Sequence, residues 1–405
     1  MAETLFLQIL KTALRGEKLP CDSEISSDDM DYIVRLSELH RVLPLVFDCV
    51  YPVCPYEESR QAELRRRTKL LVMQQTVRTE AFLNLYRELQ KKGLEPVVVK
   101  GIICRSIYPN PDFRFSADED MLILSEESAV YDEALRSLLL RPQQKRSESY
   151  YETSYFSDEG LHIEVHTSLF STEISYFDEF NSIFENLQGK TDYIQIEDVK
   201  IRTLTPTYHL LFLILHALKH FVHSGVGIRQ ICDMIMTAQH YGKEIDWDVL
   251  VKELEKIGAE GFAAGVFTIG EKYLGFDMNS CGYPEKLKEL DIDEKVLLRD
   301  ILCAGVYGGA TMSRRHSGGV TLSAVEGEKS GLAHRLFPKR ENLDSRYDYA
   351  KKNPLLLPAA WIHRIINYMG EVDAKEGNTP SEAIRTGKLR ISLLKELGIL
   401  PENKS

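Results

Sequence analysis

Asp118 and Asp120 stand two residues apart in Arg114-Phe115-Ser116-Ala117-Asp118-Glu119-Asp120-Met121-Leu122-Ile123-Leu124, a stretch whose apolar second half predicts a β-strand. Successive side chains of a strand point to opposite faces, so the two aspartates project the same way and can share a hard cation. Carboxylates forced together repel one another, and Mg²⁺ or Mn²⁺ between them relieves the cost. A third acid comes from Leu161-His162-Ile163-Glu164-Val165-His166, whose alternation puts His162, Glu164 and His166 on one face of a strand and the apolar residues on the other. Beside the first strand, Glu164 joins the aspartates as a metal ligand or as the base that deprotonates an attacking hydroxyl. His166 then either orients Glu164 or fills a polar pocket.

Other charged residues gather at the ends of these elements. Val97-Val98-Val99 predicts a buried strand, and Lys100-Gly101 follows it, so the ammonium emerges where α/β sheets collect ligands. Arg114, just before the acidic strand, either serves a ligand or balances Asp118 or Asp112.

The set Lys100-Gly101, Tyr108-Pro109-Asn110-Pro111, Arg114, Asp118-x-Asp120-x-Leu122 and Glu164-x-His166 resembles the nucleotidyltransferase superfamily typified by DNA polymerase β. Within it, the pattern is similar to a bacterial branch of uncharacterised nucleotidyltransferases. The likeness continues at His216-Ala217-Leu218-Lys219-His220, at Arg229 with Asp233, at Leu336-Phe337-Pro338 and from Pro354 to Arg364. It implies an α+β fold, a polymerase β-like sheet with helices on one face, flanked by N- and C-terminal helical regions. It also implies a nucleoside triphosphate as co-substrate, with Mg²⁺ or Mn²⁺ on Asp118, Asp120 and Glu164. Lys100, Gly101 and Arg114 would contact the nucleotide, and Lys219 and His220 would close over it from a helical domain. An acceptor hydroxyl would attack the α-phosphorus and pyrophosphate would leave.

Two positions depart from the superfamily's usual pattern. Lys100-Gly101 replaces the Gly-Ser that holds phosphates through backbone and hydroxyl. Glu119 replaces an apolar residue between the paired acids, which either puts it at a solvated edge or marks a site that has drifted.

Periodicity supplies the frame. Residues 1–92 read as an N-terminal helical region, ending in a long amphipathic helix over 56–92 that carries Arg65-Arg66-Arg67 and is closed by Gly93. The basic triplet reads as a solvated helix face more readily than as a phosphate contact. Residues 93–205 alternate strand and helix and form the α/β core, and residues 206–405 form a C-terminal helical domain beginning with helices over 207–221 and 228–241. Gly305 to Gly319 is glycine-rich, encloses the basic Ser313-Arg314-Arg315-His316-Ser317, and reads as a helix-helix connection, since it lacks the Gly-Lys-Ser/Thr of a P-loop.

A chain of 405 residues with 43% hydrophobic content buries a large core. A net charge of −11 argues against duplex nucleic acid and favours a small or protein acceptor. No apolar run is long enough to cross a bilayer, Met1-Ala2-Glu3-Thr4 lacks a basic start, and the seven scattered cysteines show no metal-ribbon spacing, so a cytoplasmic protein with reduced thiols is expected. Two other classes stand beside the transferase. One is a non-catalytic nucleotide-binding or protein-interaction module on the same fold, for which Glu119 and the missing Gly-Ser speak. The other is a metal hydrolase on His162, His166, His216 and His220, favoured by the i, i+4 spacing of the last two and weakened by Ala217 where such helices carry Glu. Arg229 and Asp233, one helical turn apart, read as a structural ion pair.

Overall fold

A computed structural model describes residues 2–143, 151–223 and 225–305, and of the remainder 317–318, 321–322, 324–325, 340, 343, 345–370 and 380–401. Four helices come first: α1 Ala2–Leu14, α2 Ser27–Leu39, α3 Leu43–Val50 and the 34-residue α4 Glu58–Lys91. The sheet region follows as β1 Val97–Val99, α5 Gly101–Ser106, β2 Glu119–Leu122, α6 Ser128–Ser137, β3 Arg141–Pro142, β4 Glu152–Phe156, β5 His162–His166, α7 Ser175–Asn181, β6 Thr191–Ile196 and β7 Val199–Leu204. Helices then continue as α8 Pro206–His223, α9 Ile228–Tyr241, α10 Trp247–Lys256, α11 Glu260–Ile269, α12 Glu285–Lys288, α13 Glu294–Ala304, α14 Asp348–Lys352, α15 Leu357–Gly370 and α16 Pro380–Glu396. This is an α+β chain, as its patterning predicts. The middle of the glycine-rich basic segment and Leu336-Phe337-Pro338 lie outside the described residues.

The seven strands lie in the order β3-β4-β5-β2-β1-β7-β6. The β2–β5 and β1–β7 pairs are parallel and the others antiparallel. Strand alternation sends Val98, Met121, Ile163 and Ile201 to one face, where Phe82, Tyr86 and Leu89 of α4 and Tyr131 and Leu135 of α6 cover them in one apolar cluster. On the other face, Val97, Val99, Leu122 and Leu204 meet α8 through Leu210, Leu211 and Leu218. That second cluster runs on without a break through Phe6 and Leu10 of α1, Val46 of α3, Phe262 of α11 and Leu394 of α16. The N- and C-terminal helical regions therefore share one core, although they stand apart in sequence.

Gly93 sits at φ 75° after α4, a left-handed position that suits glycine, and the chain turns there into β1. The Arg65–Arg67 triplet is spent on the helix surface: Arg66 pairs with Glu63 at 2.9 Å, Arg65 donates to the Tyr51 hydroxyl at 2.8 Å, and Arg67 pairs with Glu38 of α2.

Candidate active site

Strand β1 delivers the chain into a sharp turn. Lys100 adopts φ 52°, a conformation that costs a non-glycine residue on the order of 1–3 kcal/mol and is held only where its surroundings insist on it. Here the Lys100 backbone N–H donates to Nε2 of buried His209 on α8 at 3.3 Å. Burial lowers the pKa of His209 to about 4, so the ring is neutral and its Nε2 is free to accept. Gly101 follows at φ 37°, and a Cβ there would lie 1.9 Å from Oε2 of Glu119.

That contact explains Glu119. The residue is not at a solvated edge: it is 3% exposed, on the sheet face away from the acids. Its carboxylate accepts from the Ile102 N–H at 2.7 Å and from Arg105 Nη1 at 2.6 Å. An apolar residue at 119 is replaced here by a buried ion pair that fixes the Lys100-Gly101 turn.

On the opposite face β2 and β5 run side by side, with Asp120 directly across from Glu164. Asp120, Glu164 and His166 bring one donor atom each to within 4.8 Å of one another. His166 Nε2 lies 3.0 Å from Asp120 Oδ1 and 3.7 Å from Glu164 Oε2, and Lys100 Nζ lies 2.9 Å from Asp120 Oδ2. Burial alone would raise the Asp120 pKa, but Lys100 and the His166 hydrogen bond outweigh it and hold the carboxyl below its ordinary value. Glu164 is the reverse case: burial first, then the Asp120 charge, push it up to about 8. Asp118 sits just before β2, half-buried on the wall of the same cleft but outside the three-residue group.

The cleft has a volume of about 250 Å³ and is closed on its far side by α8. Lys219, His216 and His220 of that helix line it opposite Asp120 and Glu164. Lys219 Nζ donates to the Tyr151 hydroxyl at 3.2 Å, and the Nε2 atoms of His216 and His220 are 2.9 Å apart. Burial lowers the pKa of Lys219 and takes both histidines well below theirs, with Lys100 adding to the effect on His216 and Lys219 to that on His220. His216 also meets Lys100 Nζ at 3.3 Å. Of the four histidines of the hydrolase reading, His166, His216 and His220 line this cleft and His162 does not, and among the described residues the metal-capable group is Asp120, Glu164 and His166 alone.

Arg114 and Asp233 pair otherwise than the spacing suggests. Arg114 meets neither Asp118 nor Asp112 but Asp233 of α9, through Nε to Oδ1 at 3.0 Å and Nη2 to Oδ2 at 2.6 Å, while Tyr108 donates to the same carboxylate at 2.8 Å. Asp233 is thus taken by Arg114 and not by Arg229, whose Nη1 donates to the Phe115 carbonyl. The bidentate pair is buried on both sides and ties the loop before β2 to the C-terminal helices, while Arg114 also lines a small cavity with Lys100, Gly101 and Asp118.

The donor set suits a divalent cation. Two carboxylates face each other across adjacent strands, and Glu164, burdened by burial and by its neighbour, is the group that a bound cation would relieve. Glu152 and Tyr151 also belong to the site and escaped notice in the sequence. Strand β4 places Glu152 opposite His166, with 3.9 Å between Oε2 and Nδ1. The alternation of Glu152 and Ser154 hints at a polar stretch on one face, but only the sheet order reveals which neighbour it meets.

Residues 26–275 match a family model described as "Uncharacterised nucleotidyltransferase". No curated protein and no solved structure matches the chain.

Proposed function

The chain belongs to the uncharacterised nucleotidyltransferase family, and from that premise we propose that it moves a nucleoside monophosphate from a nucleoside triphosphate to a hydroxyl on a small molecule or protein. The observation that carries this reading is the in-register pairing of Asp120 with Glu164, with His166 joining them. Asp118, Asp120 and Glu164 would hold Mg²⁺ or Mn²⁺, with His166 fixing Asp120. When bound, the ion would polarise the phosphoryl oxygens and lower the pKa of the acceptor hydroxyl.

The protein's own groups would do the rest. Glu164 borders the cleft beside Tyr151 and Glu152; as a ligand of the ion it would position the acceptor hydroxyl, whose proton, made acidic by the ion, would pass to solvent. As the acceptor oxygen bonds to the α-phosphorus, the bond to the bridging oxygen breaks and the electron pair leaves with pyrophosphate. Lys100 and Lys219 stand on opposite walls to offset that charge. Free thiols at all seven cysteines support a cytoplasmic setting, and no helix among the described residues is long and apolar enough to cross a membrane.

Glu164→Gln is the test. Calorimetry should show Mn²⁺-dependent ATP binding in the parent protein and at least a tenfold loss in the variant, and label from α-phosphate-labelled ATP should reach an acceptor in a cell extract only with the parent. Equal metal-dependent binding by both proteins would remove the premise, whereas binding without any transfer would leave the non-catalytic module.

A further inference from the structure

Beyond the acids, toward the N-terminal helices, lies a group of cations that the transfer chemistry does not use. Arg41, between α2 and α3, and Arg78, on α4, approach the Phe115 ring, with guanidinium carbons 5.4 and 5.5 Å from its centroid. Arg229 of α9 donates to the Phe115 carbonyl, and Arg78 donates to the Ser116 carbonyl at 3.2 Å. Three guanidinium groups from elements distant in sequence therefore surround one two-residue segment, which reaches Asp118 two residues later. Among the described residues, no carboxylate lies within ion-pair distance of any of the three in this acidic chain.

The donors beneath them are also in excess. Arg229 is 7% exposed and its Nε has no hydrogen-bond partner among the described residues. The same holds for Nε2 of Gln230, 9% exposed, and of Gln75, fully buried. Arg229 and Gln230 line a small cavity together with Lys100, Gly101, Asp118 and the Arg114–Asp233 pair, so the spare N–H groups of Arg229 and Gln230 adjoin the Asp118 end of the cleft. Buried donors without acceptors are costly, and like charges drawn together cost more, unless an anion joins them. Planar, forked guanidinium groups are matched to phosphate oxygens.

We propose that Arg41, Arg78 and Arg229, gathered around Phe115, form a phosphate-binding subsite at the Asp118 end of the cleft. The subsite rests on the transferase reading for its biological role, but not for its chemistry. The phosphate has two sources, the β- and γ-phosphates of the nucleotide or a phosphate carried by the acceptor.

Arg41→Gln and Arg78→Gln separate these. Arg41 is exposed, so its variant should fold, and an unchanged melting temperature checks that. Isothermal titration with inorganic tripolyphosphate in EDTA should show affinity reduced about tenfold in each variant, as loss of a charge-assisted contact to phosphate implies. If ATP binding with Mn²⁺ falls equally while AMP binding holds, the phosphate is the nucleotide's. If ATP binding holds and tripolyphosphate binding to the ATP-loaded protein falls, it is the acceptor's. Parental affinity for tripolyphosphate in both folded variants would overturn the subsite. Glu164→Gln in the same titration keeps the two readings apart, because it should lose Mn²⁺-dependent ATP binding while retaining tripolyphosphate in EDTA.

Discussion

Replacing Glu119 should destabilise the protein from the face of the sheet opposite Asp120 and Glu164. Arg105 is 1% exposed, and only its Nη1 finds the Glu119 carboxylate, while Nε and Nη2 have no hydrogen-bond partner among the described residues. Glu119→Ala would strand that guanidinium, and leaving one member of a buried pair uncompensated costs about 3–5 kcal/mol. The Ile102 N–H would lose its acceptor as well, so the upper part of that range is expected. Arg105→Met alone leaves a buried carboxylate whose pKa burial already raises, and that group can escape by taking up a proton, so its cost should be smaller. The double variant Arg105→Met with Glu119→Ala removes both charges and should recover much of the loss. Urea unfolding followed by circular dichroism gives the four stabilities, read as midpoints at constant slope. Gly101→Ala supplies a second cycle: its Cβ collides with Glu119 Oε2, so it should harm the parent more than it harms Glu119→Ala. Additive effects in the first cycle, or a Glu119→Ala cost under about 1 kcal/mol, would refute the account of a buried pair shaping the turn.

Arg114→Lys should cost about as much as Arg114→Met, because one ammonium cannot replace two parallel contacts to Asp233; equal stability of parent and lysine variant would count against the tie. Acid should weaken the fold through His40, which accepts from the Ile228 N–H at 3.2 Å, donates to the Leu302 carbonyl at 3.2 Å and is held by burial at about 4. Its folded pKa lies below the unfolded value, so the neutral ring is favoured. Stability is then undiminished above the unfolded value of about 6.5, falls as pH drops toward 4, and loses roughly 3 kcal/mol from this residue at 1.36 kcal/mol per unit; a His40→Gln variant with the parental pH slope would contradict this. His209→Ala should release the strained Lys100 backbone, and nucleotide affinity should fall more than stability does.

The chemistry of the cleft was readable where it depended on short-range alternation. Glu164 lies on a strand whose apolar residues mark the opposite face, so its side of the sheet follows from spacing alone, and the long α4 with its Gly93 stop follows from periodicity. Partnerships over long separations were not. Glu119 looks anomalous until Arg105 is placed behind it, and Arg114 finds Asp233 across 119 residues of chain, a distance over which sequence carries no geometric signal. The joint core of α1, α3, α11 and α16 is hidden for the same reason, since apolar faces declare that they are buried but not against what.

The paired acids do not share one energetic fate, although identical spacing logic brought them forward. Asp120 is stabilised as an anion by Lys100 and His166, so Asp120→Asn strips partners from a buried lysine and should lower the melting temperature even without metal. Glu164 is less well supported: His166 Nε2 and His162 Nε2 each stand 3.7 Å away, but burial and the Asp120 charge outweigh Lys100, so glutamine should suit the position better in EDTA. Burial and the Asp120 charge burden the Glu164 carboxylate, and on the proposed reading a divalent cation shared with Asp120 would relieve it. Glu164→Gln should therefore melt higher than the parent in EDTA and lose that advantage when Mn²⁺ is added. A variant that melts lower in both conditions would make Glu164 a structural residue.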